Sequence, residues 1–407
     1  MSDTFVVVGA GLAAGKAVES LRGSGFDGTV VVFGEEHHLP YERPPLSKGY
    51  LLGTDELETA FVHDPSWYDD NDVDLRLGTA VTSIDTAAHV LHTRDGQQGY
   101  DRLLLATGAT PRRLQMADDS GAPVAYLRTI EDSQRLKQSF GEGRSLAVIG
   151  AGWIGLEVAA AAREAGCTVT VLESLDLPLL RVLGPEVAQV FADLHREHDV
   201  DLRLGVEVVA VDKDGQRAVV QLGGGGGSVT ADLLLVGIGV VPNVALAEAA
   251  GLACDNGVLV DEHLRTSDPD VFAAGDIANA QHPVLGRRVR VEHWDTAIGQ
   301  GETVAQSMLG QDPTYDRWPY FFTDQYDLGM EYVGNVGRDG YDEVVLRGDT
   351  KGRTFTAFWM QGGRVLAGMH ANDWDASDQV RALVGRDVDV ARLRDETVSL
   401  GELGAGG

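Results

Sequence analysis

A short glycine turn between a strand and a helix, close to the start of the sequence, is the feature that most restricts how this chain can fold. The strand is predicted over Phe5–Val8 and leads into the turn Gly9-Ala-Gly11-Leu-Ala-Ala14. Such a turn lets the backbone approach a pyrophosphate at the positively polarised beginning of the helix. We predict that Gly9 makes the tight turn, that Gly11 opens the backbone to the ligand, and that Ala14 lets the helix pack closely on the strand.

The rest of this first unit is also typical of a dinucleotide-binding fold. A second strand, predicted over Thr29–Phe33, ends just before Glu35, which stands 26 positions after Gly9. In such folds a carboxylate at this place accepts a hydrogen bond from a ribose hydroxyl. For a single unit, an ordinary connection without a ligand remains the alternative, because the glycine pattern alone is permissive.

The same unit occurs a second time further along the chain. A strand over Ser145–Ile149 leads into Gly150-Ala-Gly152-Trp-Ile-Gly155, and a strand over Thr168–Leu172 follows the helix. A single glycine pattern can arise by chance in a glycine-rich protein, whereas two with matching strands and helices hardly can. The repetition therefore predicts that one chain binds two dinucleotides.

The acidic residue that ends the second unit limits which dinucleotide that unit can bind. Glu173 stands 23 positions after Gly150. A carboxylate there accepts a hydrogen bond from a ribose 2′-hydroxyl and repels a 2′-phosphate, which favours NADH over NADPH. Arg181 is close enough in sequence to weaken this preference slightly.

The composition limits the cellular location and the binding partners of the protein. The chain has 407 residues, enough for two or three domains, and a formal net charge of −29, which opposes binding to nucleic acid or to anionic lipid. No run of about 18 apolar residues is present to span a membrane. The first residues lack the basic start of a signal peptide. We therefore expect a cytoplasmic protein.

The cysteines limit the redox chemistry. Cys167 and Cys254 are 87 positions apart, so they do not form the closely spaced pair of a redox disulfide or of a metal site. No metal is expected. The sequence therefore offers no closely spaced dithiol that could accept electrons within the chain.

Three further glycine-ended strands complete the nucleotide-binding part. The strand that ends at Thr107-Gly108 and the strand that leads to Gly239 resemble crossovers between two domains. A third strand ends at Gly275-Asp276, which can place a carboxylate beside cofactor hydroxyls at the edge of a sheet. A helix N-cap is the alternative role for this aspartate.

These elements predict the α/β class, with two Rossmann-like dinucleotide-binding domains and a C-terminal α+β domain. The first domain is expected over 1–110 and 244–316, and the second over 111–243. The third is expected over 317–407, where aromatic residues cluster and alternating runs indicate an antiparallel sheet.

One segment carries a more specific resemblance. Leu39-Pro-Tyr41-Glu-Arg43-Pro-Pro-Leu-Ser-Lys48 follows the first acidic strand end, and Val291-Glu-His-Trp294 and Asp324-Gln-Tyr-Asp327 occur later in the chain. Together with the two glycine turns, these motifs resemble the FAD-dependent NADH:ferredoxin reductases of oxygenase and cytochrome P450 systems. That family, which includes putidaredoxin and rubredoxin reductases, is related to apoptosis-inducing factor and has the glutathione-reductase-like flavoprotein fold.

The resemblance implies roles for individual residues, which we therefore expect in this chain. The residues implied for FAD are Gly9, Gly11, Ala14, Glu35, Arg43, Lys48, Thr107, Gly108, Gly275, Asp276 and Trp294. The residues implied for NAD are Gly150, Gly152, Ile154, Gly155, Glu157, Glu173, Arg181 and Gly239. The residues implied at the reacting centre are Lys48, Glu157, Trp294 and Phe322.

The chemistry of these residue types suits the implied roles. Arg43 and Lys48 would offset phosphate charge, and Lys48 would lie near flavin N5. Glu157 would lie near the nicotinamide carboxamide, although an acid favoured by the helix dipole is its structural alternative. Phe322 stands where many relatives have Trp. Its smaller ring can still shield the nicotinamide and flavin, but it lacks the indole N–H.

The resemblance implies hydride transfer from NADH to FAD, followed by single-electron transfer to a ferredoxin, of the [2Fe–2S] type in this family, that serves a P450 or an oxygenase. Two alternatives remain. One is an NADH oxidase or a reductase of a small acceptor such as a quinone or monodehydroascorbate. The other is a redox-sensing protein like apoptosis-inducing factor, in which turnover is incidental.

A ferredoxin partner has to be reconciled with the negative net charge. Ferredoxins are commonly acidic, but association depends on the local field at the docking face. Arg287, Arg288 and Arg290 stand just before Trp294. They predict a positive docking surface, and neutralisation of cofactor phosphates or a solvated loop is the alternative.

Overall fold

The computed structural model describes residues 3–337 and 340–404. Its contacts divide the described residues into two compact units. Unit 1 contains those of 1–44, 56–110 and 240–319, and unit 2 contains those of 45–55, 111–239 and 320–407. The short segment 45–55, which carries Lys48, is therefore part of unit 2.

The described strands are short, as is usual for a chain with several small sheets. In chain order they are β1 Thr4–Val8, β2 Thr29–Phe33, β3 Val73–Arg76, β4 Val81–Asp85, β5 Val90–Thr93, β6 Gln97–Gly99, β7 Arg102–Leu105, β8 Ala109–Pro111, β9 Val124–Ala125, β10 Ser145–Ile149, β11 Thr168–Leu172, β12 Asp201–Arg203, β13 Val208–Asp214, β14 Arg217–Leu222, β15 Ser228–Ala231, β16 Leu233–Val236, β17 Val240–Pro242, β18 Val258–Val260, β19 Val271–Ala273, β20 Ala278–His282, β21 Arg287–Val289, β22 Tyr320–Gln325, β23 Leu328–Gly334, β24 Glu343–Asp349, β25 Thr354–Gln361 and β26 Arg364–Ala371.

The described α-helices lie between groups of these strands and after the last of them. They are α1 Leu12–Gly23, α2 Gly49–Leu52, α3 Pro65–Asp70, α4 Gln115–Asp118, α5 Ile130–Ser139, α6 Trp153–Glu164, α7 Leu180–Glu197, α8 Ala245–Ala249, α9 Trp294–Met308, α10 Ser377–Leu383, α11 Val390–Arg394 and α12 Leu400–Gly404. In the part of the chain that the structure describes, none of them combines the length and the apolar character needed to cross a bilayer.

The centre of unit 1 is a parallel five-stranded sheet in the order β19-β7-β1-β2-β3. The last four residues of β1 are buried, because a parallel sheet in this class is covered on both faces. Helices α1 and α9 pack against each other. Because α1 follows β1 directly through the first glycine turn, that helix begins at the carboxyl end of the central strand.

Unit 2 repeats this arrangement with the parallel order β12-β11-β10-β16-β9. It also contains an antiparallel five-stranded sheet in the order β22-β23-β26-β25-β24. The two sheets share one hydrophobic cluster, in which Val148 and Leu156 lie with Met330 and Trp359. The indole N–H of Trp359 donates to the Leu183 carbonyl at 3.1 Å, which ties the C-terminal sheet to α7.

The predicted fold class is confirmed. The strand predicted over Phe5–Val8 is found over Thr4–Val8. The helices that follow the two glycine turns begin at Leu12 and Trp153, with Gly11 and Gly152 as their N-caps. The three domain boundaries stay a prediction, since the parallel and antiparallel sheets of unit 2 form one compact body.

A partly buried carboxylate in the C-terminal sheet, Glu331, gives a stability prediction. Glu331 accepts hydrogen bonds from His370 Nε2 at 3.1 Å and from Ser377 Oγ at 2.6 Å. The bond from His370 is the main reason why the pKa of Glu331 falls to about 2. The folded protein thus holds this group ionised more strongly than the unfolded chain does. Its contribution to stability is complete above about pH 4.5 and is lost as the pH falls towards 2.

We expect Glu331→Gln to lower the free energy of unfolding at pH 7 by about 2 kcal/mol and to remove part of the acid sensitivity between about pH 4.5 and 2. Urea unfolding followed by circular dichroism at several pH values measures both effects. Glu343→Gln, on β24 of the same sheet, is the matched control because its carboxylate is paired at the surface with Arg394. Equal pH dependence of E331Q and the parent protein would contradict the prediction.

Candidate active site

The first glycine turn is built as predicted from the sequence. Gly9 has φ +108°, and a Cβ atom at Gly9 would lie 2.2 Å from the Ala106 carbonyl oxygen. Gly11 is different, because its backbone is extended and a Cβ atom there would meet nothing within 4 Å. Glycine at this position therefore leaves open space in front of α1. Ala14 is fully buried, which fits its predicted role in packing.

The second turn repeats this division of roles. Gly150 has φ +100°, and a Cβ atom at Gly155 would lie 2.1 Å from the Gly150 carbonyl oxygen, so the helix can approach the strand only without a side chain. A Cβ atom at Gly152 would meet nothing within 4 Å. Ile154, in the first turn of α6, is 43% exposed. An open backbone and an uncovered apolar side chain at a helix start fit a bound dinucleotide.

Glu173 lies against this second turn. Its Oε2 accepts a hydrogen bond from the Ala151 N–H at 2.8 Å, and its Oε1 accepts from the Leu175 N–H at 3.0 Å. These bonds fix the carboxylate at the end of β11, where a ribose hydroxyl acceptor is expected. Arg181 is exposed at the beginning of α7. Gly239 has φ +96° and open space around its Cα atom.

The acidic strand end of unit 1 differs from the expectation in one respect. Glu35 is exposed, and the neighbouring Glu36 makes the internal contacts. Glu36 lies 3.1 Å from Arg43 Nη2 and accepts a hydrogen bond from Tyr41 Oη at 2.6 Å. Burial works to lower the pKa of Arg43, but Tyr41, Glu36 and Asp276 outweigh it and raise that pKa. Arg43 is thus a permanently charged group among anionic neighbours.

Two other predicted segments of unit 1 lie at strand ends. Thr107 Oγ1 donates to the Asn243 carbonyl at 3.0 Å, and the Asn243 amide donates back to the Thr107 carbonyl at 2.8 Å. Gly108 and Gly275 both have positive φ. A Cβ atom at Gly275 would lie 3.0 Å from that of Ala13, which places the strand end that carries Asp276 beside the first glycine turn.

A buried ion pair joins the predicted reacting residues of unit 2. Lys48 Nζ lies 2.5 Å from Glu157 Oε1, and Glu157 is only 4% exposed. The ammonium group also lies 5.3 Å from the centre of the Phe322 ring. Lys48, Glu157 and Phe322, which are far apart in the sequence, are therefore brought together. Trp294 begins α9 in unit 1.

Two hydroxyl groups that the sequence did not single out complete this pair. Ser47 Oγ donates to Glu157 Oε2 at 2.5 Å, and Thr323 Oγ1 donates to Glu157 Oε1 at 2.6 Å. A carboxylate buried to this degree requires such donors, because its hydration is lost. Ser47 belongs to the segment 39–48, which carries the family resemblance. Thr323 directly precedes the Asp-Gln pair, so both had a weak sequence signal.

Helix α5 holds the segment that carries Lys48. Ser133 Oγ donates to the Leu46 carbonyl at 2.8 Å, and Lys137 Nζ donates to the Tyr50 carbonyl at 3.1 Å. The Gln134 amide also donates to the Tyr50 hydroxyl at 3.0 Å. Bonds on both sides of Lys48 fix its backbone, so its ammonium group has a defined position within unit 2.

The predicted arginine surface needs a correction. Arg290 is only 9% exposed and forms an ion pair with Glu292, and its Nη1 donates to the Asp276 carbonyl at 3.1 Å. Its inclusion in an exposed positive surface was wrong, because its charge is balanced inside unit 1. Arg288 Nη1 donates to two backbone carbonyls, each at 2.8 Å. Arg287 begins β21.

Cys167 and Cys254 both lie in the described part of the chain, and neither forms a disulfide. Cys167 is buried and accepts a hydrogen bond from the Gly141 N–H at 3.3 Å, and Cys254 is half-buried. Among residues 3–337 and 340–404, no group of three His, Cys, Asp or Glu side chains is placed to hold a metal ion.

Comparison with known proteins identifies the family. Residues 3–301 match the family described as pyridine nucleotide-disulphide oxidoreductase. The chain belongs to this family. Residues 320–404 match the family described as reductase C-terminal, so the pyridine nucleotide-disulphide oxidoreductase part is followed by a second recognised region.

Two curated relatives illustrate where this pyridine nucleotide-disulphide oxidoreductase lies within the family. The chain is 41% identical, over 98% of both sequences, to the ferredoxin–NAD(+) reductase component of the anthranilate 1,2-dioxygenase system of Burkholderia cepacia. It is 38% identical to putidaredoxin reductase of Pseudomonas putida, over 90% of this chain and 88% of that protein.

Solved structures agree with these sequence matches. The reductase in the covalent putidaredoxin reductase–putidaredoxin complex superposes with a TM-score of 0.94 at 36% identity, over 98% of both chains. The ferredoxin reductase for the CYP199A2 system of Rhodopseudomonas palustris gives a TM-score of 0.93 at 34% identity, over 99% of this chain and 100% of that one. A water-forming NADH oxidase of Lactobacillus brevis shares the fold, at 20% identity.

Proposed function

We propose that this protein is an FAD-dependent NADH:ferredoxin reductase. The observation that carries the proposal is the buried Lys48–Glu157 pair beside Phe322, in a chain whose two glycine turns are both open. The relatives named as ferredoxin–NAD(+) reductases and as putidaredoxin reductase cover most of the chain. The absence of a disulfide between Cys167 and Cys254 fits an enzyme that passes its electrons to another protein.

The two glycine turns divide the cofactors between them. We assign the first turn, with Gly9, Gly11 and Ala14, to FAD, and the open space in front of Gly11 supports this assignment. We assign the second turn, with Gly152 and Gly155, to NADH. The further FAD residues proposed are Glu35, Arg43, Lys48, Thr107, Gly108, Gly275, Asp276 and Trp294. The further NAD residues proposed are Gly150, Ile154, Glu157, Glu173, Arg181 and Gly239.

When bound, FAD accepts a hydride from NADH and releases electrons one at a time, which is chemistry that the protein itself does not have. The contribution of the chain is to orient and to stabilise. Lysine has three N–H donors, so Lys48 can bind Glu157 and still donate to a polar cofactor atom. Glu157 balances the charge of Lys48 in a site with little water, and Phe322 covers the ammonium group.

The partner that follows from this function is a ferredoxin with an iron–sulfur cluster, which in turn serves a P450 or an oxygenase. A [2Fe–2S] ferredoxin is the form proposed. We also propose a cytoplasmic location, where NADH is supplied by metabolism. The formal net charge of −29 opposes binding to polyanions such as nucleic acid. Docking of a protein partner depends instead on the local charge at the docking face.

The proposal is tested by following both half-reactions of the purified FAD-containing protein. NADH should reduce the flavin rapidly in a stopped-flow instrument, and a recombinant [2Fe–2S] ferredoxin should speed NADH-driven cytochrome c reduction at least about tenfold. Fast peroxide or water formation from oxygen without ferredoxin would instead support an NADH oxidase. Very slow reoxidation with a long-lived charge-transfer band would support a redox-sensing protein.

The preference for NADH gives a separate prediction. Glu173→Gln keeps an acceptor for the Ala151 N–H but removes the negative charge that would repel a 2′-phosphate. We expect the ratio of kcat/KM for NADH over NADPH to fall about tenfold or more, mainly because NADPH improves. Steady-state kinetics with ferredoxin measures the ratio, and Glu186→Gln on α7 is the control. An unchanged ratio would remove Glu173 from the proposed ribose contact.

A further inference from the structure

A row of buried hydrogen bonds leads from Glu157 to helix α7. Thr323 Oγ1 lies 2.6 Å from Glu157 Oε1, and Gln325 Nε2 lies 3.1 Å from Thr323 Oγ1. His195 Nε2 lies 2.8 Å from Gln325 Oε1. Thr323 and His195 are 0% exposed and Gln325 is 1% exposed. These four residues are called the Glu157 network below.

The ion pair at one end determines the direction of every bond in the network. Glu157 is paired with the Lys48 ammonium group, so it is a carboxylate and can only accept. Thr323 has one hydroxyl proton and therefore donates it to Glu157. Its oxygen must then accept from Gln325, which turns the amide nitrogen of Gln325 towards Thr323 and its oxygen towards His195.

The last bond determines the tautomer of His195. Because Gln325 Oε1 only accepts, His195 Nε2 must carry a proton and donate it. The Nδ1 atom of His195 is buried without a hydrogen-bond partner among the described residues. Burial lowers the pKa of His195 to about 4, with an opposing effect of the Gln325 bond and a smaller lowering by His198. The imidazole is therefore neutral at physiological pH, with the proton on Nε2.

Other groups packed around His195 do not change this assignment. The Tyr326 ring meets the His195 ring edge-on, with their centres 5.4 Å apart, and burial raises the pKa of Tyr326, which stays neutral. His198 stacks on the other side of Tyr326 and uses its Nδ1 with the Leu194 carbonyl. Near the other end, Asp324 interacts electrostatically with Lys48 and Glu157, and desolvation is the main reason why its pKa is raised. The network thus has a neutral end at His195 and an ionic end at Glu157.

We propose that Thr323, Gln325 and His195 are positioning residues that hold the Glu157 carboxylate in its ion pair with Lys48. This inference rests on the proposed function, in which the pair faces the cofactors. If the Gln325 amide were reversed, the Thr323 hydroxyl would donate to Gln325 Oε1. Glu157 would then lose one of its donors, and its ion pair with Lys48 would be held less firmly. His195 opposes that reversal, because moving its proton to Nδ1 would leave a buried N–H without an acceptor among the described residues.

The network does not act as a proton path. A proton path needs each member to accept a proton on one side and release another on the other side. The carboxamide of Gln325 keeps its N–H groups, so exchange stops at this residue. Its role is to orient the Thr323 hydroxyl, and the effect on the reaction passes through Glu157.

The first test needs no substitution and no turnover. In the FAD-containing protein with ¹⁵N-labelled histidine, the nitrogen chemical shifts of His195 should show the tautomer protonated at Nε2, from about pH 6 to 8. A tautomer protonated at Nδ1, or a charged imidazolium, would overturn the proposed direction of the bonds. The resonance is assigned by its loss in His195→Gln.

The second test compares variants of the network. Thr323→Val keeps the shape of the side chain and removes the donor to Glu157. We expect flavin reduction by NADH to slow about tenfold and the acid limb of its pH profile to move to higher pH. Infrared spectra should show a protonated carboxyl signal that the parent protein lacks at the same pH. Thr356→Val, a buried threonine on β25 of the same sheet, is the matched control.

The far end of the network is tested by two substitutions at His195. His195→Leu removes the donor to Gln325, and His195→Gln supplies a carboxamide N–H near the place of Nε2. We expect the acid limb to move up in H195L and to return close to the parent value in H195Q. A role in stability alone would lower the melting temperature of H195L but leave its pH profile at the parent value.

The outcomes that would overturn the proposal are therefore specific. Parent-like pH profiles in both Thr323→Val and His195→Leu would do so, as would a protonated Glu157 carboxyl in the parent protein. None of these measurements uses ferredoxin. A failure of ferredoxin reduction would overturn the proposed function. The measurements on the Glu157 network could still be interpreted, because they do not depend on ferredoxin.

Discussion

Replacing Lys48 with Met should slow the reduction of bound flavin by NADH about 100-fold or more. The substitution keeps most of the side-chain length and removes the cation that lies 2.5 Å from Glu157. Two effects add together. The proposed donor to the cofactor is lost, and the buried carboxylate of Glu157 keeps only hydroxyl donors such as Ser47 and Thr323.

Stopped-flow absorbance at the flavin band measures this rate directly, with saturating NADH and without ferredoxin. Lys213→Met is the matched control, because Lys213 is exposed on β13 in the same unit. We expect the control to reduce its flavin at the parent rate. A parent-like rate in K48M would show that the ammonium group does not act on hydride transfer.

A double substitution separates the two effects in K48M. Lys48→Met with Glu157→Gln removes both charges, so the cost of an unpaired buried carboxylate disappears. We expect the melting temperature to recover most of the loss seen in K48M. The rate of flavin reduction should stay low, because the cation is still missing. Recovery of the rate would mean that the single variant was slow only through an unpaired Glu157.

The turn geometry that the sequence predicted depends on near neighbours in the chain. Gly9 and Gly150 need a positive φ between a strand and a helix, and Gly155 needs close contact with the turn five residues before it. Glu173 follows its strand directly and reaches the turn of the same unit. Such requirements repeat as a local pattern, so they can be read from spacing alone.

The Glu157 network could not be read in this way. Glu157 and Thr323 are 166 positions apart, and His195 and Gln325 are 130 positions apart. Nothing in the sequence near His195 distinguishes it from a histidine that simply packs in the core of α7. Its role depends on two sheets that share one hydrophobic cluster, and this packing determines which distant polar groups meet.

Arg290 shows a second limit of prediction from sequence, which concerns charge. Three arginines in four positions suggest a positive surface, but Glu292 stands two residues further on and neutralises Arg290 inside unit 1. Arg288 is different, because it is exposed and its Nη1 donates to neutral backbone carbonyls. The number of charged residues in a loop does not show which of them form ion pairs within the fold, so it does not by itself predict a charged surface.

Substitution at the open glycines should separate the two cofactor sites. Gly11 and Gly152 both have extended backbones that valine adopts readily, and a Cβ atom at either meets no protein atom within 4 Å. Gly11→Val and Gly152→Val should therefore fold normally. The added side chain occupies the space in front of the helix, where a pyrophosphate would lie.

We expect G11V to bind FAD about 100-fold more weakly or worse, because two or more hydrogen bonds to charged phosphates are given up. We expect G152V to keep its FAD and to bind NADH more weakly by a similar factor. Flavin absorbance of the purified proteins measures the first effect. Titration with NAD+ and the NADH dependence of flavin reduction measure the second.

Gly23→Val provides the control, since Gly23 ends α1 and also has open space around its Cα atom. It should keep both cofactors, which shows that added bulk in this unit is not harmful in itself. Full FAD content in G11V would contradict the assignment of the first turn. The structure gives each turn its own strand, helix and open backbone. Loss of FAD from G152V, in which the first turn is intact, would therefore contradict the assignment of one cofactor to each turn.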